Sequence, residues 1–166
     1  KNNLTRFTLL LIFGFCISWF ITPSEKDFHT YSFSELPIIE KGRVKSWDTL
    51  ARTAILFIQG KQKVMIDDNE VTPIEWLLYS VTQPKKADSL KIFRLQHPGV
   101  MSLLNLNKES GKYHSFQTIK PYLPQVIVQA QQIQDIEREK RSRYQSAIME
   151  LYAKVNHYQV LKQSFY

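Results

Sequence analysis

Residues 123–165, LPQVIVQAQQIQDIEREKRSRYQSAIMELYAKVNHYQVLKQSF, decide the fold class. Beyond Pro124 this stretch holds neither proline nor glycine, and most of its residues favour helix. Ile133 and Ile136 give way to a charged run from Glu137 to Arg143. Tyr144, Ile148, Leu151, Val155 and Tyr158 then recur at spacings of 4, 3, 4 and 3. That is a heptad seam, sustained over about two heptads. The pattern predicts a long C-terminal helix over 123–166. Its seam can pack back on its own domain, pair with a partner in a coiled coil, or form a stalk leading to a further membrane span. Packing on its own domain is the plainest of the three.

Working back toward the amino terminus, helix signals recur. Asp48 is placed to cap a helix from Thr49 to Gln59, with Leu50, Ala54, Phe57 and Ile58 on one apolar face and Gly60 past its end. Thr72, Pro73 and Glu75 spell a capping box with proline at the first helical position, starting a helix to about Val81 that carries Trp76, Leu77 and Leu78. Leu90 to Leu95 alternates apolar and polar residues, as a short strand does. Pro98 opens a short helix through Leu106, a polar loop runs from Asn107 to Lys112, and Ser115 starts another helix before Pro121 and Pro124. Residues 24–46 read as an extended linker. The expected fold is mainly α: a small helical domain over 47–122 followed by the long terminal helix.

The amino-terminal run Phe7 to Ile21, FTLLLIFGFCISWFI, is uncharged. Counted from Leu4 it reaches about 18 positions, near the lower limit for a membrane-spanning helix. Arg6 can snorkel to head groups, Trp19 suits the interface, and Pro23 ends the helix. The residues before a signal-peptidase site should be small, and Trp19, Phe20, Ile21 and Thr22 are not. Phe15 before Cys16 also departs from a lipoprotein signal. Residues 1–23 therefore read as a retained transmembrane anchor. Lys1 and Arg6 precede it while Glu25 and Asp27 follow, so the positive-inside bias puts the amino terminus in the cytoplasm and the main domain on the periplasmic side of a bacterial inner membrane.

The 22 Lys and Arg against 15 Asp and Glu give a net charge of +7. The basic residues are scattered, without an aromatic stripe, so the charge suits an anionic lipid surface better than nucleic acid. The single cysteine, Cys16, excludes an intramolecular disulfide and any Cys-x-x-Cys chemistry. The histidines, His29, His97, His114 and His157, lie far apart, and none belongs to an HExxH pattern. His97 suits the position before the Pro98 helix start, and His157 the half-exposed edge of a helix. No Gly-rich phosphate loop, GxSxG elbow or SxxK pair is present. Adjacent Asp67 and Asp68, with Asn69, read as a turn. The chain is expected to carry no catalytic residue and no metal site of its own.

The densest unusual stretch is Leu36 to Arg52, LPIIEKGRVKSWDTLAR. Gly42 permits a turn, Arg43 offers a planar fork to a carboxylate or phosphate, and Arg43 is within local reach of Glu40 or Asp48. A structural turn and a partner-binding motif are both compatible with this. The proline, the Gly-Arg pair and the following Asp-Thr-x-Ala-Arg resemble the extracytoplasmic segment of ResC/CcsA-type, system II cytochrome c biogenesis proteins, in their large or fused forms. Gly60-Lys61, Glu75-Trp76-Leu77-Leu78 and Tyr113-x-Ser115-Phe116 extend the resemblance over about residues 36 to 165. Where such proteins usually read Gly-Arg-x-x-Pro, this chain has Ser46-Trp47. The resemblance implies a non-catalytic periplasmic domain in a membrane complex that delivers haem and attaches it to cytochrome c. Its partners would be other membrane subunits of that complex and the lipid bilayer, not nucleic acid. Gly42, Arg43, Asp48, Thr49, Arg52, Glu75 and Trp76 would form the partner-binding or structural motif. Trp19, Trp47 and Trp76 are isolated, so no haem ligand carries over; haem would belong to the full complex. A single-pass envelope scaffold, unrelated to haem, is the alternative reading.

Overall fold

Local capping chemistry sets most of the helix starts. A computed structural model describes residues 30–164 except 41, 67–68, 108 and 110. The chain order is α1 (Thr30–Glu35), β1 (Pro37–Glu40), β2 (Arg43–Ser46), α2 (Trp47–Gln59), β3 (Val64–Ile66), β4 (Asn69–Val71), α3 (Pro73–Thr82) and α4 (Pro84–Ser89). There follow β5 (Lys91–Arg94), α5 (Pro98–Leu103), β6 (Tyr113–Ser115), α6 (Phe116–Ile119), α7 (Leu123–Ile133) and α8 (Arg143–Gln163). The protein is mainly helical, as the sequence implies. The strands form separate two-stranded antiparallel pairs, β1 with β2, β3 with β4 and β5 with β6.

Thr72 and Glu75 make the expected capping box: Thr72 Oγ1 accepts from Glu75 N, and Thr72 N donates to Glu75 Oε2 at 2.9 Å. Ser115 likewise caps α6, and His97 Nδ1 accepts from Gly99 N at the start of α5. The cap of α2 differs from expectation. Ser46 accepts from Thr49 N, and the helix begins at Trp47, two positions ahead of the Thr49 start expected from an Asp48 cap. Asp48 instead lies in the first turn, where its charge suits the helix dipole, and pairs with Arg52 at 2.6 Å. Gly60 ends α2 in the left-handed region, φ 78°.

Two expectations are corrected. Of the stretch 24–46 expected to be an extended linker, the described part folds into α1 and the β1–β2 hairpin. The register Ile39↔Val44 and Glu40↔Arg43 ties the two strands, and Gly42 turns the chain at φ 76°. Second, the long helix expected over 123–166 is two helices, α7 and α8, that pack on each other. The break needs neither proline nor glycine. Arg141 Nε donates to the Ile136 carbonyl at 2.9 Å and Arg141 Nη2 to the Gln134 carbonyl at 3.3 Å, satisfying carbonyls that a continued helix would have used. Ser142 and Gln145 then make a second capping box that starts α8.

One apolar core runs from Leu50 to Leu161, so the body expected over 47–122 and the terminal helical stretch share an interior. At its centre Tyr158 of α8 is fully buried against Trp76, Phe93 and Phe116, with ring centroids 6.5, 5.5 and 5.2 Å away. Ile148, Leu151 and Val155 of the same seam are buried alongside, so the seam serves its own domain. Each such side chain contributes about 1.5–3 kcal/mol by leaving water. The Tyr158 hydroxyl donates to Asp88 Oδ1 at 2.8 Å, and Lys162 Nζ donates to the same oxygen at 2.6 Å. Burial, then the Asp88 charge, pushes the Tyr158 phenol far above its usual range, so it remains a donor. Among the described residues no helix is long and apolar enough to cross a membrane. The anchor expected at 1–23 and the Asp67–Asp68 turn lie outside the described residues.

Candidate functional site: a cleft between α2, β5 and α8

Where α2 ends, β5 passes beneath and α8 crosses above, leaving a cleft of about 210 Å³. Phe57, Leu95, Val100 and Leu151 give it apolar walls; Arg94, Gln96, Glu150 and Lys154 supply its polar groups. Gly60 is part of the wall because of its backbone conformation and its lack of a side chain. A Cβ there would sit 3.3 Å from Arg94 Nη1, so glycine leaves the guanidinium room to lie over the end of α2.

The polar groups satisfy one another. Lys154, only 6% exposed, bonds Glu150 Oε1 at 2.5 Å one turn earlier on α8. With the Gln96 amide turned so that its oxygen faces Arg94, that oxygen accepts from Arg94 Nη2 at 2.7 Å and from Nε at 3.3 Å. Phe57 on α2, one of the apolar lining residues, is nearly half exposed. His157, one turn beyond Lys154, sets its ring edge-on to Phe57 at 5.4 Å. A cleft with apolar walls of this size can take the apolar part of an incoming side chain, while its own polar groups are already paired.

Among the described residues, three buried polar atoms have no hydrogen-bond partner there: Gln59 Oε1, Trp76 Nε1 and His114 Nε2. His114 is 5% exposed in β6, and desolvation first, with Lys91 adding repulsion, lowers its pKa below 6.5 despite a backbone bond to Gly111. It is held neutral inside the fold. Among the described residues no group of three or more His, Cys, Asp or Glu is placed to hold a metal ion.

The seven residues singled out by sequence do not converge. Gly42 and Arg43 lie on the β1–β2 hairpin, with Arg43 opposite Glu40 in the register. The short local pairs are Lys45 with Glu40 at 2.7 Å, half-buried, and Arg52 with Asp48, more exposed. Thr49 shares a hydrogen bond with the Ser46 cap at 2.9 Å. Glu75 belongs to the α3 capping box, and Trp76 is fully buried beside Tyr158. The sequence reading missed Arg94, Gln96 and Lys154. One signal was available: Lys154 follows Leu151 by three positions, inside the apolar stripe of α8, with Glu150 four positions earlier to neutralise it. Comparison of the chain with models of known protein families gives no match, and comparison with curated proteins gives none.

Proposed function

We propose that the chain is a non-catalytic docking domain, held by its amino-terminal apolar segment on the periplasmic face of a bacterial inner membrane. There it would serve a complex that matures cytochrome c by delivering and attaching haem. The observation that carries the docking part is the cleft's apolar wall, with Phe57 nearly half exposed. Arg94 is engaged by Gln96 and Lys154 by Glu150, an arrangement poorly suited to passing a proton. The assignment to cytochrome c maturation rests on the sequence resemblance alone. The other membrane subunits of such a complex would supply the haem-binding groups, and this domain would orient them.

Deleting the gene and staining membranes for covalently bound haem tests the assignment. Loss of haem-stained c-type cytochromes is expected, and unchanged staining would remove the cytochrome role. Phe57→Asp in the full chain tests the docking part. Its side chain is 47% exposed at the cleft mouth, so the fold should survive while co-purification of membrane subunits falls. A general envelope scaffold, unrelated to haem, would show the second effect without the first.

A further inference from the structure

The β1–β2 hairpin presents a face that the rest of the described chain leaves uncovered. Side chains alternate across a strand pair, so Pro37, Ile39, Val44 and Ser46 share one side while Ile38, Glu40, Arg43 and Lys45 share the other. Ile38 packs on the core. Ile39 and Val44 stand directly opposite each other on the outward side, 74% and 73% exposed. Just before the hairpin, Leu36 is 50% and Tyr31 76% exposed. Two adjacent β-branched residues in water are a cost to a free hairpin and an asset to one lying against an apolar medium. Tyr31, apolar with a polar tip, is a residue favoured at the membrane–water boundary.

The length of chain before the hairpin says which medium is near. The uncharged run ends at Ile21 and Pro23, and α1 begins at Thr30. Residues 24–29 can span no more than about 20 Å, so α1 stays close to whatever holds that run. The hairpin follows α1 directly, its base fixed by Trp47 N donating to the Leu36 carbonyl and by the Phe33–Trp47 ring contact at 4.9 Å.

We propose that the outward face of this hairpin, Ile39 and Val44 with their exposed neighbours, seats in the head-group layer of the same bilayer that holds the amino-terminal segment. The inference rests on the anchored reading and adds to it a second contact that fixes how the domain sits over the membrane. An anchor alone leaves the body free to swivel; a hairpin on the lipid surface would fix its tilt and with it the direction in which the cleft faces.

The test uses the full chain with Cys16→Ala and a single new cysteine, Ile39→Cys, Val44→Cys or Val128→Cys, labelled with bimane. Val128 serves as reference because it is exposed and apolar but lies on α7. Each protein is reconstituted into vesicles of phosphatidylcholine and phosphatidylglycerol with brominated acyl chains. Expected is a blue-shifted emission and loss of most of the fluorescence at positions 39 and 44, with none at 128. Equal quenching at 39 and 128 in protein that floats with the vesicles would overturn the hairpin contact and leave the anchor standing. Protein that does not float would overturn both. Disulfide-linked dimers of Ile39→Cys with unquenched bimane would give the face to a second copy and overturn the lipid assignment.

Discussion

Removing the carboxylate of Glu150 should harm the fold more than removing the charge of Lys154, although the two form one ion pair. Lys154 is 6% exposed, whereas the Glu150 side chain is 62% exposed. Glu150→Gln leaves an ammonium group in a nearly dry position with a neutral partner. Breaking a fully buried pair costs about 3–5 kcal/mol, and the solvent around Glu150 reduces this to about 1–2 kcal/mol. Lys154→Met keeps the length and the apolar stem against the cleft wall and leaves a hydrated Glu150, so the expected change is within about 0.5 kcal/mol of zero. For a domain of this size 1 kcal/mol shifts Tm by about 2–4 °C, so the two variants should differ by about 2–8 °C. Thermal and urea unfolding of both, at neutral pH and moderate salt, measure the contrast. A neutral Glu150→Gln beside a Lys154→Met that costs more than about 1 kcal/mol would refute the argument, because it would place the lysine in water.

Further outcomes follow from other sites. The lowered pKa of His114 means that the unfolded chain binds the proton more readily; its contribution is therefore intact above the unfolded value of 6.5 and is lost as pH falls toward the lower folded value. His114→Phe should remove that part of the pH dependence, read from urea midpoints on the acid side of neutrality. Tyr158→Phe keeps the ring and loses one hydrogen bond to Asp88, for about 1 kcal/mol; Tyr158→Ala empties the aromatic centre, for about 3–5 kcal/mol, and equal losses would contradict the packing described. Gly60→Ala forces a side chain into a positive φ and against Arg94, and should cost about 1–2 kcal/mol in the same assay while disturbing the cleft.

What the sequence revealed depended on how local the cause was. The Thr72–Glu75 box, the Ser115 cap and the β5 strand are set by neighbours within a few positions, and they formed where expected. The choice of Ser46 over Asp48 moves the helix start by two positions, between two residues that are both able to cap. The break between α7 and α8 was hidden because helix-favouring residues run through it. Arg141 folding back on the Ile136 carbonyl, and the gain from packing α8 on α7, outweigh a propensity that favours continuation. The cleft was hidden for another reason. Gly60, Arg94 and Lys154 belong to three elements far apart in sequence, and only the closed core brings them together.

The ties from Tyr158 and Lys162 back to Asp88, across 70 and 74 residues, have a consequence for the order of events during synthesis. Trp76, Phe93 and Phe116 leave the ribosome well before the helix that covers them, so the interior cannot shut until that helix has emerged. Contacts of such long range slow folding and leave apolar surface open in the meantime. If the emerging body crosses the membrane during translation, this interval of exposure is spent on the far side, where periplasmic chaperones would have to shield it.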